Sequence, residues 1–225
     1  MSPDLIRQFH EMAPFALRQD VPPFGDIIHR PRSDFDLQEQ GVQPAVFDLP
    51  NEASLKPAAV LVPVILRPGG ATVLFTQRAA ALRSHSGQIS FPGGRIDETD
   101  PSALDAALRE TEEEIGLSRT HITPLGFLDA YLTGTGYRIV PVVAVISQPF
   151  ELMLNPNEVD EVFEAPLAFL MDAANHRRDG REWEGKHRSY YAIAYGDRYI
   201  WGATAGILRN LHDRLIGAGQ WRPGM

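Results

Sequence analysis

Apolar residues lie along the chain in short stretches typical of strands, beginning near residue 58. Residues 58–66 and 72–77 are rich in β-branched and aliphatic side chains, and the Arg-Pro-Gly-Gly sequence over residues 67–70 predicts the turn of a β-hairpin between them. Residues 87–91 predict another short strand, which a Pro-Gly-Gly sequence ends. These stretches predict that a β-sheet forms the core of the protein.

Farther along, helices alternate with strands. A helix is predicted over residues 100–116, because Asp-Pro is a typical start and Gly116 a typical end. Helical spacing also predicts helices over residues 166–174 and 203–216. The remaining predicted strands cover residues 122–132, 138–147, 158–163, 190–194 and 199–201. This order predicts an α/β fold in which helices cover both faces of a mixed sheet.

The length of 225 residues predicts one large domain with additions, at roughly 150 residues per domain. Residues 1–55 are predicted to form an N-terminal arm, helical over residues 4–12 and irregular beyond, because prolines, aspartates and glutamines are scattered through them. The main domain is predicted over residues 56–218, and residues 219–225 are predicted to form a C-terminal tail.

Composition and charge exclude several classes of protein. The net charge of −8 argues against binding nucleic acid by general phosphate neutralisation. The absence of cysteine excludes disulfides and cysteine-ligated metals, and fits a reducing compartment. The longest apolar run, residues 57–66, is about half of the ~20 residues that a membrane-spanning helix needs, and no secretory signal is recognisable. We therefore expect a cytoplasmic protein that binds neither nucleic acid nor a membrane.

Most of the negative charge lies between Gly94 and Gly116, where eight acidic and two basic residues give a net charge of −6. On a helical period, Glu110, Glu113 and Glu114 share one side of the predicted helix. The opposite side is an apolar stripe, expected to face the core, formed by Leu104, Leu108, Thr111 and Ile115.

These three glutamates have two interpretations. A solvated acidic face is the commoner meaning of a charge run. It would cost roughly 0.2–0.5 kcal/mol for the like-charged pair Glu110 and Glu114, and acidic groups in a last helical turn also oppose the helix dipole. A hard divalent cation would remove this repulsion, so the pattern favours a site for Mg²⁺ or Mn²⁺.

The segment resembles the Nudix box, the signature of a family of diphosphate hydrolases. There are two departures: Asp100 stands where the pattern has glutamate, with one residue more before Arg109, and Thr111 replaces the usual aliphatic residue. The positions that match the pattern are Gly94, Arg109, Glu110, Glu113, Glu114, Gly116 and Leu117.

Both departures resemble one branch of that family, the coenzyme A pyrophosphatases. Residues 74–94, which end in Phe-Pro-Gly-Gly, are similar to the upstream signature of this branch, and residues 155–167 and 200–208 are also similar to it. The resemblance covers about residues 58–212. It implies the Nudix α/β/α sandwich with a central mixed β-sheet, Mg²⁺ or Mn²⁺ as cofactor, and a homodimer. It also implies a small-molecule substrate: coenzyme A or its thioesters, cleaved to 3′,5′-ADP and (acyl-)4′-phosphopantetheine.

The resemblance also implies roles for single residues of the helix. Glu110 and Glu114 match positions that hold the metal, and Gly94 is expected to contribute its carbonyl, since backbone without a side chain can approach an ion closely. Glu113 is either a further metal ligand or the catalytic group that orients water, and its alternative is a salt bridge with Arg109. Arg109 is expected to hold the glutamates in place, because its planar guanidinium matches carboxylates.

Outside the helix, four residues are candidates. Arg78 and Arg83 lie in the upstream signature and are expected to bind substrate phosphate, and His85 is expected to contact phosphate or base. Each has the alternative of an ordinary surface or structural side chain. Glu158 follows a Pro-Asn turn and is a second candidate for the catalytic base, with an exposed turn acid as the alternative. Trp201 is expected to belong to the core and not to the site, because aromatic residues in strands are more often core residues.

Two other functions are open. The first is a Nudix hydrolase with a different substrate, such as ADP-ribose, a nucleotide sugar or an oxidised nucleotide. The upstream signature speaks against it. The second is a Nudix-like ligand sensor without catalysis, which would be expected to lose glutamates of the box, whereas all three are present here.

Overall fold

A computed structural model of the chain describes residues 4–22, 32–33, 54–82, 85–183 and 186–217. Its centre is a nine-stranded sheet, and a smaller three-stranded antiparallel sheet follows it in the chain. The central sheet contains β1 (Arg32–Ser33), β2 (Lys56–Arg67), β3 (Gly70–Arg78), β4 (Ile89–Ser90), β5 (Gly93–Arg95), β6 (Ile122–Phe127), β7 (Tyr131–Leu132), β8 (Tyr137–Ile146) and β9 (Val159–Pro166). The smaller sheet contains β10 (Arg177–Trp183), β11 (Lys186–Tyr195) and β12 (Arg198–Trp201).

Strand β2 organises the central sheet. It pairs antiparallel with β3 through the predicted turn, antiparallel with β5, and parallel with β8 along ten residue pairs. Strand β3 pairs antiparallel with β2 and β4, and it also pairs antiparallel with β9. The prediction of a mixed sheet that begins with a β-hairpin is therefore confirmed.

Helices cover both faces of this sheet, as predicted. The helices are α1 (Asp4–Ala16), α2 (Ala103–Ile115), α3 (Leu167–Leu170) and α4 (Ala203–Gly217). Leu61 and Ile65 of β2 belong to the apolar cluster under α2, whereas Val62 and Val64 belong to the cluster shared with α1, α3 and α4. Because strand side chains alternate between faces, β2 supplies both halves of the core. The fold is an α/β/α sandwich.

Several elements differ from the sequence-based predictions. The strand predicted over residues 122–132 is split into β6 and β7, because the backbone N–H of Asp129 turns to Asn210 of α4 and its carboxylate pairs with Arg214. The helix predicted over residues 166–174 stops at Leu170 and is followed by a separate 3₁₀ turn over Ala173–Asn175. Strand β10 was not predicted, since its sequence is mostly polar.

Helix α1 extends to Ala16 rather than to residue 12, and Phe9, Met12 and Ala13 are buried in the same cluster as α4. Most of the predicted N-terminal arm and the whole 219–225 tail lie outside the described residues, so the division into arm, domain and tail stays a prediction. Within the described ranges, the structure contains no helix long and apolar enough to cross a membrane.

Candidate active site

Helix α2, which carries the three glutamates, has defined ends and a buried apolar side. It begins after Ser102, whose side chain accepts a hydrogen bond from the backbone N–H of Asp105 at 3.1 Å. It ends at Gly116, a left-handed residue with φ 68°. Leu108, Thr111 and Ile115 are buried, as the apolar stripe predicted, and Leu104 is partly buried in the same cluster.

Glu114 is not on a solvated side of the helix, and this corrects the expectation that all three glutamates face away from the core. Its side chain is only 4% exposed. The backbone N–H of Gly93 donates to Glu114 Oε2 at 3.0 Å, and Arg78 Nη1 lies 3.8 Å from Glu114 Oε1. The cause is β5, which pairs with β2 and covers this part of α2. The glutamate therefore lies in a groove between helix and sheet.

The groove changes the proton affinity of its carboxyl groups. Burial raises the pKa of Glu114 to about 7, against the opposing effects of the Gly93 hydrogen bond and the Arg78 charge. Burial also raises the pKa of Glu110, although Arg109 opposes it. The charge of Glu158 also contributes to raising both pKa values, so this loop residue acts electrostatically on both carboxyl groups. The three carboxylates thus repel one another.

Gly94 lies against Glu110. A Cβ atom at this position would be 2.5 Å from the carboxyl carbon of Glu110, so the Glu110 carboxyl group could not stay where it is. The neighbouring Gly93 has φ 143°, and a Cβ there would be 2.4 Å from the backbone oxygen of Ala59. The two glycines therefore let β5 approach both the helix carboxylate and β2.

Arg109 connects the acidic residues, which is the arrangement that its predicted role requires. It donates to both oxygens of Asp100, at 2.9 and 2.8 Å, and to Glu110 and Glu113, each at 3.0 Å. Its guanidinium lowers the pKa of Asp100 to about 2. The salt bridge that was the alternative for Glu113 is present, and the Glu113 side chain is 54% exposed. Asp100, the unusual residue of the box, thus anchors Arg109, a pairing that the sequence pattern did not reveal.

Glu158 lies directly before β9, at the end of a loop that contacts the residues after β3. Its Oε1 accepts a hydrogen bond from Asn155 Nδ2 at 3.2 Å, and its backbone oxygen accepts from the N–H of Ala79 at 2.9 Å. Asp160 accepts from the N–H of Ala80 at 2.9 Å. Sequence reasoning missed Asp160, and no local pattern marks it. These contacts bring the loop that follows β3 close to Glu158.

The structure treats the three basic candidates differently. Arg78 reaches Glu114, and its Nε is buried without a hydrogen-bond partner in the described part of the chain. The His85 side chain is exposed, and its Nδ1 lies 2.7 Å from Gln88 Oε1. Arg83 lies outside the described residues. Among the described residues, Arg78 is therefore the basic candidate that contacts the acidic groove.

The donor chemistry of the groove suits a hard divalent cation. Glu110 and Glu114 supply carboxylate oxygens that repel each other, and the Gly94 backbone runs beside Glu110 without a side chain between them. Within the described ranges, no three acidic or histidine side chains already form a complete metal-binding cluster. Mg²⁺ commonly uses only one or two carboxylates and keeps waters in its other positions. Carboxylate oxygens are donors of the type that Mg²⁺ prefers.

Comparisons with known proteins agree with the fold and the helix motif. Residues 55–187 match the family described as NUDIX domain. The chain is 40% identical over 154 residues to the uncharacterized Nudix hydrolase NudL of Cronobacter sakazakii. The matched residues make up 68% of this chain and 80% of that protein. Over the same shares it is 39% identical to NudL of Escherichia coli K12. In fold it resembles a MutT/nudix family protein from Enterococcus faecalis, with a TM-score of 0.50, 15% identity, and 96% and 75% of the two chains covered.

Proposed function

Since the chain belongs to the Nudix hydrolase family, we propose that it hydrolyses the diphosphate bond of coenzyme A or its thioesters. The products would be 3′,5′-ADP and (acyl-)4′-phosphopantetheine. At the family level, the chain is a Nudix hydrolase of a nucleoside diphosphate derivative. The observation that carries the narrower proposal is the 3.8 Å approach of Arg78 to Glu114, because it joins the coenzyme A signature to the acidic helix.

The reaction adds one water molecule to the diphosphate. The oxygen of water forms a bond to one phosphorus, the bond from that phosphorus to the bridging oxygen breaks, and a proton of the water passes to a carboxylate. Glu158 is our first candidate for this base, because its charge contributes to raising the pKa values of both Glu110 and Glu114. Glu113 is the second, and its bond to Arg109 makes it less available.

Glu110, Glu114 and the Gly94 carbonyl would hold Mg²⁺ or Mn²⁺, the divalent ions that Nudix hydrolases generally use. Bound there, the ion would neutralise diphosphate charge and lower the pKa of water. Arg109 holds Glu110 and Glu113 through hydrogen bonds, and Asp100 holds Arg109 in turn. These contacts keep the carboxylates in place before substrate arrives, which reduces the entropic cost of orienting them.

Arg78 is proposed to bind the substrate diphosphate. Its buried Nε has no hydrogen-bond partner among the described residues, and a guanidinium can donate to phosphate through two parallel bonds. Arg83 and His85, in the same signature, are proposed to contact the phosphate or base of the nucleotide half. A homodimer and a cytoplasmic location stay predictions.

Replacing Glu158 by glutamine is expected to lower kcat about 10²–10³-fold with little change in KM, since an amide cannot accept the proton of water. The matched change Glu113→Gln is expected to cost less than about tenfold, because the half-exposed Glu113 is paired with Arg109. Steady-state kinetics of both variants, with thermal unfolding as the folding control, checks this. A larger loss in Glu113→Gln would reverse the assignment of the base.

Product analysis tests the proposed function. Purified protein is incubated with coenzyme A, ADP-ribose and a nucleotide-sugar mixture, each with and without Mg²⁺. We expect release of 3′,5′-ADP and 4′-phosphopantetheine that depends on the metal. Turnover of another compound alone would keep the Nudix hydrolase and refute the coenzyme A substrate, whereas binding without any turnover would favour a sensor.

A further inference from the structure

A second concave site lies at the same end of the sheet as Glu114, beyond strand β3. It is a cavity of about 510 Å³ between the end of the central sheet and strand β12 of the small sheet. Seven of the side chains that line it bear on its chemistry: Gln77, Gln88, Glu161, Asp197, Arg198, Tyr199 and Trp201. The predicted roles of the acidic helix do not use this cavity.

The cavity and the acidic groove meet at the end of strand β3. Gln77 lines the cavity, whereas the next residue, Arg78, reaches Glu114. Residues 86–88, in the loop between β3 and β4, form part of the cavity wall, and the backbone N–H of Arg78 donates to the backbone oxygen of Gln88 at 2.9 Å. The cavity and the groove are therefore connected through the last two residues of β3, Gln77 and Arg78.

The charged groups of the wall do not suit a phosphate. Glu161 and Asp197 are acidic, and Arg198 is the one basic side chain among the residues that line the cavity. Arg198 donates to both oxygens of Glu161, at 3.1 and 2.5 Å, and its guanidinium lies 3.9 Å from the centre of the Phe163 ring. Its charge is thus already compensated, and the wall as a whole is negative.

The remaining groups suit a neutral chain that carries amides. The Gln77 side-chain amide makes no hydrogen bond with any described residue. Gln88 uses its oxygen for His85, at 2.7 Å, and its NH₂ group keeps donors to offer. Tyr199, 43% exposed, and Trp201 add aromatic surface on which methylene and methyl groups can pack. Polar groups that fix orientation beside apolar surface are typical of small-molecule sites.

We infer that this cavity binds the pantetheine arm of coenzyme A and leaves the phosphorylated nucleoside on the side of Arg78. The inference rests on the proposed function. The arm is uncharged between its phosphate and its thiol, and it carries two amides, a hydroxyl and a dimethyl group. The nucleoside carries a 3′-phosphate on its ribose, which the acidic groups Glu161 and Asp197 would repel.

The main test measures the affinity of each half of coenzyme A for the full chain by calorimetry. Gln77→Leu keeps the size of the side chain and removes its amide. We expect it to weaken binding of 4′-phosphopantetheine about fivefold and to leave binding of 3′,5′-ADP within about twofold, since a lost hydrogen bond of ~1 kcal/mol corresponds to about fivefold in affinity. The control is Gln19→Leu, which removes an exposed amide near Leu125.

A second variant does not depend on how β3 tolerates a change. Asp197→Lys adds a positive charge at the exposed β11–β12 turn, on the cavity wall. We expect the affinity for 3′,5′-ADP to stay within about twofold. A rise of several-fold would place the nucleotide in the cavity and overturn the inference. So would a Gln77→Leu variant that binds both halves like the wild type, or that weakens 3′,5′-ADP instead.

Wild-type turnover separates this inference from the proposed function. If the wild type does not cleave coenzyme A, the proposed function fails, and the pantetheine assignment fails with it. If the wild type cleaves coenzyme A and Gln77→Leu keeps its KM and its affinity for 4′-phosphopantetheine, only the assignment of the cavity is wrong.

Discussion

Replacing Glu114 by glutamine is expected to lower kcat/KM about 10³-fold and, at the same time, to stabilise the metal-free protein at pH 8. The loss of turnover follows from the position of Glu114 between Gly93 and Arg78, where the proposed metal and the diphosphate meet. Glutamine keeps the size of the side chain and can still accept the Gly93 hydrogen bond. It cannot supply the negative charge.

The gain in stability follows from the pKa of Glu114. Burial raises this pKa from 4.5 to about 7, so the folded chain takes up a proton that the unfolded chain does not hold between those pH values. The contribution of Glu114 to the free energy of unfolding is therefore complete below pH 4.5, where its carboxyl group is protonated, and is lost as the pH rises through 7. Glutamine has no such loss. We expect Glu114→Gln to be more stable by about 1–3 kcal/mol at pH 8 and by much less at pH 4.5.

Thermal unfolding without metal at the two pH values, combined with kinetics in Mg²⁺, measures both effects. The matched control is Glu112→Gln, since Glu112 is exposed on the same helix and its side chain has no place in the groove. It is expected to change neither quantity. A Glu114→Gln variant that keeps its turnover would contradict the metal assignment, and one that loses stability at pH 8 would contradict the groove electrostatics.

The adjacent changes Gly93→Ala and Gly94→Ala are expected to affect different properties: the first lowers stability, and the second lowers turnover. At Gly93 the backbone has φ 143°, and a Cβ would lie 2.4 Å from the Ala59 oxygen and 2.6 Å from the Val60 Cα, both backbone atoms. Neither can move without breaking the pairing of β5 with β2. We expect Gly93→Ala to lower the free energy of unfolding by about 3 kcal/mol or more.

At Gly94 the obstacle is the end of a side chain. A Cβ would lie 2.5 Å from the Glu110 carboxyl carbon, and Glu110 can rotate away. We expect Gly94→Ala to keep its stability within about 1 kcal/mol and to lose about 10²-fold in kcat, because Glu110 leaves its position. Thermal unfolding and kcat, measured on both variants, check this contrast.

Gly69→Ala is the control for both glycine variants, since nothing lies within 4 Å of a Cβ there and its φ is ordinary. It should leave stability and turnover close to those of the wild type. Equal losses of stability at positions 93 and 94 would show that Gly94 supports the backbone rather than the Glu110 carboxylate. Full activity in Gly94→Ala would show that the position of Glu110 does not matter.

Features that depend on neighbouring residues were predictable from the sequence. Helix α2 begins after Ser102 and ends at Gly116, close to the predicted bounds, because capping and the left-handed glycine are local properties. The β2–β3 hairpin was predicted because its turn lies between two apolar stretches. Strand β10 was missed, since it forms through pairing with β11 and not through an apolar pattern of its own.

Pairings between distant segments were not predictable. Nothing in the helical period of α2 shows that β5 covers Glu114 while Glu113 stays exposed, because the helix period describes one element and not what packs on it. The cavity beside Gln77 has the same origin, since residues of β3, β9 and β12 meet there from separate parts of the chain.

The sequence by itself determined the order of strands and helices, the acidic helix with its three glutamates, and the resemblance that names their chemistry. Only the tertiary structure decided that Glu114 is buried, that Arg78 lies beside it, and that Asp100 holds Arg109. The physical reason is that capping and periodicity act over a few residues. The proton affinity of a carboxyl group depends instead on every charge and apolar surface that the folded chain brings close to it.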